Sequence, residues 1–329
     1  MTPLATDMIT GTADVYDVIK AIEKQRLLFP AFEEAYRRII RIHKMALAGN
    51  RPRHLMILGP SGAGKSSVLE EYVRYFPVIE ETEFRRTPVL RVEIKSSPTV
   101  RSVAEDILKA MGIPMAYRGT VNEKTDRVIS SLQKLKVELL MLDEVQHLLG
   151  SSKRSFGSNN ETEWLKTLLN QIEIPVVLAG LPYAQALLST NEQLRRRLDG
   201  VCNLTPFSVE GEDAAADFAG VISWFDSEIH DGQPIGLHEG DMLYRLFYAT
   251  NGLIGYLSKL LIGAMEIRLE HGQRRIEPWM LEQSFSQNLW AEGVGTLNPF
   301  HKKFVQRQLN KTNELFAPTA FSAMAASST

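Results

Sequence analysis

The chain has little that would staple it, anchor it or bias its charge. One cysteine, Cys202, stands among 329 residues, which excludes an intrachain disulfide and fits a reducing compartment, the cytoplasm. No apolar run approaches the roughly 20 residues that a bilayer span requires. Met1-Thr2-Pro3-Leu4 carries no basic-then-apolar leader, so no membrane partner is expected. An excess of one charge is also missing. The 37 Lys and Arg against 39 Asp and Glu leave a net −2, so contact with nucleic acid would have to come from a local patch. No internal repeat is visible. Hydrophobic content of 44% and charged content of 23% are ordinary for a globular chain with room for one large or two medium domains.

What is present is concentrated. Gly59-Pro60-Ser61-Gly62-Ala63-Gly64-Lys65-Ser66 is a complete G-x-x-x-x-G-K-S phosphate loop. It follows the apolar run Leu55–Leu58 and leads, through Ser67, into a helix-compatible stretch. A phosphate cradle needs that order of strand, tight loop and helix N-terminus. The glycines let backbone N–H groups converge on phosphate oxygens, Lys65 neutralises charge, and the Ser66 hydroxyl suits Mg²⁺. The expected ligands are ATP and Mg²⁺.

The rest of the chain divides by pattern. Residues 1–50 read as a helical segment leading into the core, with helices over 14–24 and 31–48. Between them Leu27-Leu28-Phe29-Pro30 is either a packed turn or a surface for the adenine ring. From 51 to 207 short apolar strands (55–58, 89–94, 139–142, 176–179, 201–204) alternate with helices (66–75, 99–111, 124–135, 161–172, 184–188). That alternation predicts a parallel five-stranded α/β sheet flanked by helices. Residues 208–292 hold only helical patterns (212–229, 239–250, 254–271, 277–290), a small all-α lid. Residues 293–329 are polar and read as a flexible tail. Trp164, Trp224, Trp279 and Trp290 sit among apolar residues and read as packing groups, and Cys202 as a small buried residue.

Two further constellations carry chemistry. Leu139-Leu140-Met141-Leu142-Asp143-Glu144 is an apolar strand ending in two acids. Asp143 is suited to the Mg²⁺ shell and Glu144 to polarising an attacking water. Asp143-Glu144-Val145-Gln146-His147 is superficially similar to the H-E-x-x-H zinc pattern, but Asp stands at the first ligand position and no third ligand is evident. Gln193-Leu194-Arg195-Arg196-Arg197 precedes the last core strand. An arginine here can enter a neighbouring subunit's site and stabilise charge on the γ-phosphate; Arg197 is the first choice and Arg196 the second. A solvated basic surface at a helix C-terminus is the alternative.

Together these motifs resemble an AAA+ ATPase, and more closely the TniB/TnsC family of transposition regulators. The likeness rests on the Leu-Phe-Pro segment, the phosphate loop, Asp143-Glu144-Val145-Gln146-His147-Leu148, Gln193–Arg197 and Asn251-Gly252-Leu253-Ile254-Gly255-Tyr256-Leu257. It spans about residues 15–290. The chain departs from the AAA+ pattern twice. The strand 176–179 runs into Gly180, where many AAA+ proteins carry a polar sensor, and Tyr256 follows Gly255, where an arginine is common, leaving Lys259 as the nearest cation. Both departures predict slow hydrolysis. The resemblance implies a homo-oligomer, ring or filament, assembled on duplex DNA with ATP. It also implies a transposase and a target-selection protein as partners. Sequence-tolerant phosphate contacts are expected from Lys95, Thr99, Arg101, Arg118 and Lys124, with Arg127 and the segment 151–155 as further candidates. A helicase loader or initiator-like AAA+ adaptor is a second reading, and a P-loop kinase, which has no use for an intersubunit arginine, a third.

Overall fold

Strands too apolar to face water on either side bury one another edge to edge. In the computed structural model, residues 29–80, 85–149, 160–189, 192–230 and 232–318 are described, together with Ile19. Five segments form a wholly parallel sheet: β1 (His54–Leu58), β2 (Val89–Glu93), β3 (Leu139–Asp143), β4 (Val176–Gly180) and β5 (Leu198–Asn203). Their spatial order is β2-β3-β4-β1-β5. The three inner strands are buried at every position. Register pairs Glu93 with Asp143, and Leu58 with both Gly180 and Asn203. The carboxyl ends therefore share one edge, where ligands of such sheets bind.

Helices cover both faces. On one side α3 (Val100–Ala110), α4 (Val121–Lys134) and α5 (Asn160–Gln171) pack Ile107, Leu108, Val128, Leu132 and Leu168 against Met56, Leu90, Leu142 and Leu178. Thr99 and Thr120 start α3 and α4 with capping boxes, satisfying amides that have no helical partner. On the other side lie α1 (Pro30–Leu47) and α2 (Lys65–Arg74). The short helices α6 (Ala186–Ser189) and α7 (Glu192–Arg197) lead into β5, α6 after a 3₁₀ turn at Pro182–Gln185.

Helix α1 revises the expected division at residue 50. Its buried face, Phe32, Ala35, Ile39, Ile42 and His43, packs on β1 and β5, so it belongs to the α/β core. His43 Nδ1 meets the Tyr72 hydroxyl at 2.9 Å. The helix expected over 14–24 lies outside the described residues, apart from Ile19. Phe29 groups instead with the helical unit that follows, where it is buried with its ring edge-on to Phe207 at 5.1 Å.

The chain divides at Thr205/Pro206 into this core and a second, helical unit. The latter contains α8 (Glu212–Ile229), α9 (Gly240–Thr250), α10 (Ile254–Glu270) and α11 (Pro278–Ser284), which a π turn continues to Leu289. The flexible tail expected from 293 is not what residues 293–318 form. Phe300, Phe304 and Leu309 are buried, and the Asn298 amide donates to the carbonyls of Glu282 and Gly293 at 2.8 and 2.9 Å. Tyr256 stacks edge-on against Phe316 at 5.4 Å. These apolar residues have no helical or strand period, which is why the polar composition of the segment concealed its packing. Residues 319–329 lie outside the description. Among the described residues no helix is long and apolar enough to cross a membrane.

Candidate nucleotide site

The loop between β1 and α2 turns on Gly62 and Gly64, whose φ angles of 79° and 92° are left-handed. A side chain there would be strained, and Gly64 is the N-cap of α2. The first amides of α2 have no helical acceptor and face the loop. Lys65 is 5% exposed, and its ammonium donates to the Gly59 and Pro60 carbonyls, each at 2.9 Å. Burial lowers the Lys65 pKa from its ordinary value, while Glu144 and Asp143 pull it upward. A phosphate oxygen is a better acceptor than those carbonyls, so the ammonium is held where it can exchange partners. Ser61 is exposed at the loop tip, Ala63 is buried beneath it, and Ser66 and Ser67 are half-buried in the first turn of α2.

Both acidic positions lie at this loop, Asp143 in contact with it and Glu144 near enough for its charge to act on Lys65. The Ser66 hydroxyl donates to Asp143 Oδ2 at 2.8 Å across 77 residues of sequence. Asp143 is fully buried at the end of β3. Besides Ser66 it accepts from Arg91 Nη2 at 2.8 Å and, through Oδ1, from the Glu144 amide at 3.0 Å. A hydroxyl and a carboxylate oxygen side by side at a helix N-terminus are the hard-oxygen donors that Mg²⁺ prefers, so the residues present fit the metal.

Arg91 was not singled out in the sequence. It projects from β2 to bridge Asp143 and Glu70, the latter at 3.0 Å. Burial alone would lower its pKa, but the hydrogen bond and charge of Asp143, with Glu70, leave it raised. Its signal was faint: one arginine inside the alternating run Val89-Leu90-Arg91-Val92.

Glu144 has φ 58°, a left-handed angle that a β-carbon disfavours. It turns the chain out of β3 and into a 3₁₀ turn, Val145–Leu149. That turn is not the α-helix on which an H-E-x-x-H pair presents two ligands to one metal. Among the described residues no group of three or more His, Cys, Asp or Glu could hold a metal ion. His147 Nε2 lies 3.9 Å from Glu144 Oε2. Gly180 has no side chain to offer, but the Gln146 carboxamide lies against it and hydrogen-bonds Glu144.

The arginine run is placed elsewhere. Arg195–Arg197 close α7 at the amino end of β5, and register aligns the start of β5 with His54 at the start of β1. The phosphate loop leaves the other end of β1, roughly 13 Å away at about 3.3 Å per residue. Arg196 and Arg197 line a recess of about 590 Å³ with Arg51, Arg53 and Asn170, whereas Arg195 lines a different one with Asp199 and Gly200. Arg197 Nη1 also donates to the Leu169 carbonyl at 2.9 Å. Within one chain these arginines do not meet Lys65. Burial, with the nearby Arg197 charge, holds the His54 pKa down at about 4.

The candidate DNA contacts fare unequally. Lys95 is exposed and pairs with Asp106 at 3.0 Å. Arg101 is exposed and bonds Glu105 and the Tyr117 carbonyl, both at 3.0 Å. Arg118 is exposed. The Thr99 hydroxyl is used in its own helix cap. Lys124 is a correction: it is 0% exposed and donates to the carbonyls of Ala116 and Arg118 at 3.0 and 2.8 Å, with Glu105 3.4 Å away. An ammonium so enclosed organises the loop before α4 and cannot touch a DNA backbone. Arg127 does similar work, bonding the Pro114, Met115 and Arg118 carbonyls. The segment 151–155 lies outside the described residues.

Known proteins share this fold. The model of the family described as Bacterial TniB protein matches residues 18–207, more than half of the chain. ORC1-type DNA replication protein 1 of Aeropyrum pernix is 25% identical over 123 residues, covering 37% of this chain and 31% of that protein. The chain thus spans about a third of the length of the curated relative it matches. Among solved structures, Cdc6p from Pyrobaculum aerophilum superposes with a TM-score of 0.57 at 15% identity, covering 80% of this chain and 69% of the other. The Aeropyrum pernix ORC1 protein in complex with DNA gives 0.56 at 17% identity, covering 80% and 66%. The Aeropyrum pernix ORC2 protein (ADPNP–ADP complexes) gives 0.56 at 14%, covering 81% and 71%. At such identities these likenesses establish the fold, a P-loop AAA+ core followed by a helical region. With the family match running through the phosphate loop, both acids and the arginine run, the chain belongs to the TniB family.

Proposed function

We propose that this protein is an ATP-dependent regulator of DNA transposition. In this reading it assembles on duplex DNA in its ATP state, and hydrolysis releases it. The observation that carries the chemistry is the contact between Ser66 and Asp143, which joins the phosphate loop to the acidic strand end with Glu144 as the next residue. Lys65 would exchange its carbonyl partners for the β- and γ-phosphate oxygens. A magnesium ion held by Ser66 and Asp143 would supply neutralisation of phosphate charge. Glu144 would orient the attacking water and take its proton. Arg91 keeps Asp143 aimed at Ser66.

The arginines at the far end of the sheet support assembly. Arg197 or Arg196 of one copy would reach the γ-phosphate held by the next. DNA is proposed from family membership, with the DNA complex of the Aeropyrum ORC1 protein as weaker support. Lys95, Arg101 and Arg118 remain the candidate phosphate contacts. A transposase and a target-selection protein are the proposed partners on the same family ground.

The test is electron microscopy of the protein on plain duplex DNA with a non-hydrolysable ATP analogue and with ADP. Rings or filaments with the analogue alone are expected; a monomer indifferent to DNA in both states would sink the reading. The ORC1 and Cdc6p likenesses favour a second reading, an initiator-like adaptor. Stimulation of a cognate transposase separates the two.

A further inference from the structure

Strand β4 ends in Gly180, and another residue fills the space a side chain would take there. A Cβ built on Gly180 would lie 2.8 Å from Gln146 Oε1, and 3.1 Å from Val145 Cγ2 and Ala184 Cβ. Gln146 is 4% exposed. Its Oε1 accepts from the Leu181 amide at 3.1 Å, across 35 residues of sequence. That bond settles which end of the side-chain amide points where, because the Leu181 N–H needs an acceptor and the carboxamide nitrogen cannot accept. Nε2 is left facing the acid, and it donates to Glu144 Oε2. Tyr183, from the turn after β4, adds a phenol whose pKa is raised by burial and by Glu144.

We infer that Gln146 is the positioning residue for hydrolysis, supplying from the turn after β3 the polar group that β4 lacks at Gly180. The inference rests on the ATPase reading above and names a member of that same site. Glycine at 180 is then a requirement rather than a loss, since any side chain would displace the Gln146 carboxamide from the Leu181 amide. Glu144 leaves β3 through a left-handed residue, so its backbone alone does not fix the carboxylate. The Gln146 amide, tied to β4, does. Its N–H groups lie beside the oxygen that must receive the water's proton.

The experiment is steady-state ATP turnover by the full chain with duplex DNA present. Gln146→Met keeps length and removes both amide functions; it should lower kcat by about 10- to 100-fold and leave the KM for ATP within about twofold. Gln146→Glu keeps the shape, cannot donate when ionised, and adds a like charge beside Glu144. It should lower kcat and move the acidic limb of the kcat–pH profile upward. Gly180→Asn in the Gln146→Ala background should recover much of the lost kcat, because it returns an amide to the same space. Gln146→Met with wild-type kcat would overturn the inference. So would a joint fall of kcat, ATP affinity and melting temperature with no pH shift and no recovery by Gly180→Asn. A wild-type chain that binds ATP and never turns it over would sink the ATPase reading and this inference with it. A wild type that turns over alongside unaffected Gln146 variants sinks this inference alone.

Discussion

Two aspartates, one in each unit, are equally buried and differently employed. Asp143 and Asp226 both have 0% exposure. Asp143 is held mainly by side chains, the Ser66 hydroxyl and the Arg91 guanidinium. Asp226, on α8, accepts from the backbone amides of Ile235, Gly236 and Leu237 at 2.9–3.1 Å, and pairs with His230 at 2.8 Å. Burial pushes the Asp226 pKa up, but His230 and the Leu237 and Ile235 amides outweigh it and hold the carboxyl below its ordinary value. A hydroxyl can rotate away and a guanidinium can swing, whereas three consecutive amides are fixed by the chain they belong to. Asp143 can exchange partners for a ligand. Asp226 pins the loop 232–237 to α8.

The sharpest way to break this contrast is to remove each acid's function in turn. Asp143→Asn and Glu144→Gln should each lower turnover by roughly 100-fold or more, with Glu144→Gln still binding ATP; phosphate release and nucleotide titration check both. Asp226→Ala should act on folding instead, costing about 3–5 kcal/mol, because it strands three amides and a buried histidine. Urea unfolding reads this. A stability loss at Asp143 as large as that at Asp226 would erase the distinction.

Acid sharpens it further. The folded state keeps His54 neutral down to about pH 4 against an ordinary 6.5. Its contribution is therefore intact above 6.5 and is lost as pH falls towards 4, about 2 kcal/mol between pH 7.5 and 5. His43, also lowered by burial, adds in the same direction. Asp226, with its pKa depressed, contributes stability above its unfolded pKa near 3.8 that is lost only as pH falls through the still lower folded value. Unfolding at the two pH values should thus show a loss that His54→Gln reduces and Asp226→Asn leaves in place.

The smallest effects concern the surface. Arg118→Ala should flatten the salt dependence of DNA binding by about one unit of slope. Lys124→Met should leave that slope alone and cost about 1–3 kcal/mol of stability. If Lys124→Met changed the salt slope, its burial would be contradicted.

Much of this was legible in the chain. Each core strand was located to within a few residues because five short apolar runs have no other stable disposition than a sheet. The helices of the second unit were legible by period. The loop, Ser66, Asp143 and Glu144 carry their chemistry in their order. What escaped notice depends on register. Arg91 meets Asp143 because β2 and β3 align Glu93 with that acid, and Gln146 meets Leu181 only once β3 and β4 lie side by side. Lys124 was legible and was missed: it stands four and eight residues before Val128 and Leu132, on the buried face of α4. A lysine on an apolar face asks for carbonyls, and the loop at 116–118 supplies them.

The separation of Lys65 from Arg196 and Arg197 by the length of β1 has a consequence for mixtures. If the arginine serves the neighbouring site, the unit of activity is a junction between copies. A Glu144→Gln chain retains a sound arginine, and an Arg197→Ala chain retains a sound glutamate. Each is inert alone, yet where the first adjoins the second in the right order one complete junction forms. Blending two dead preparations should therefore revive turnover, and diluting wild type with either should poison it more steeply than the added fraction.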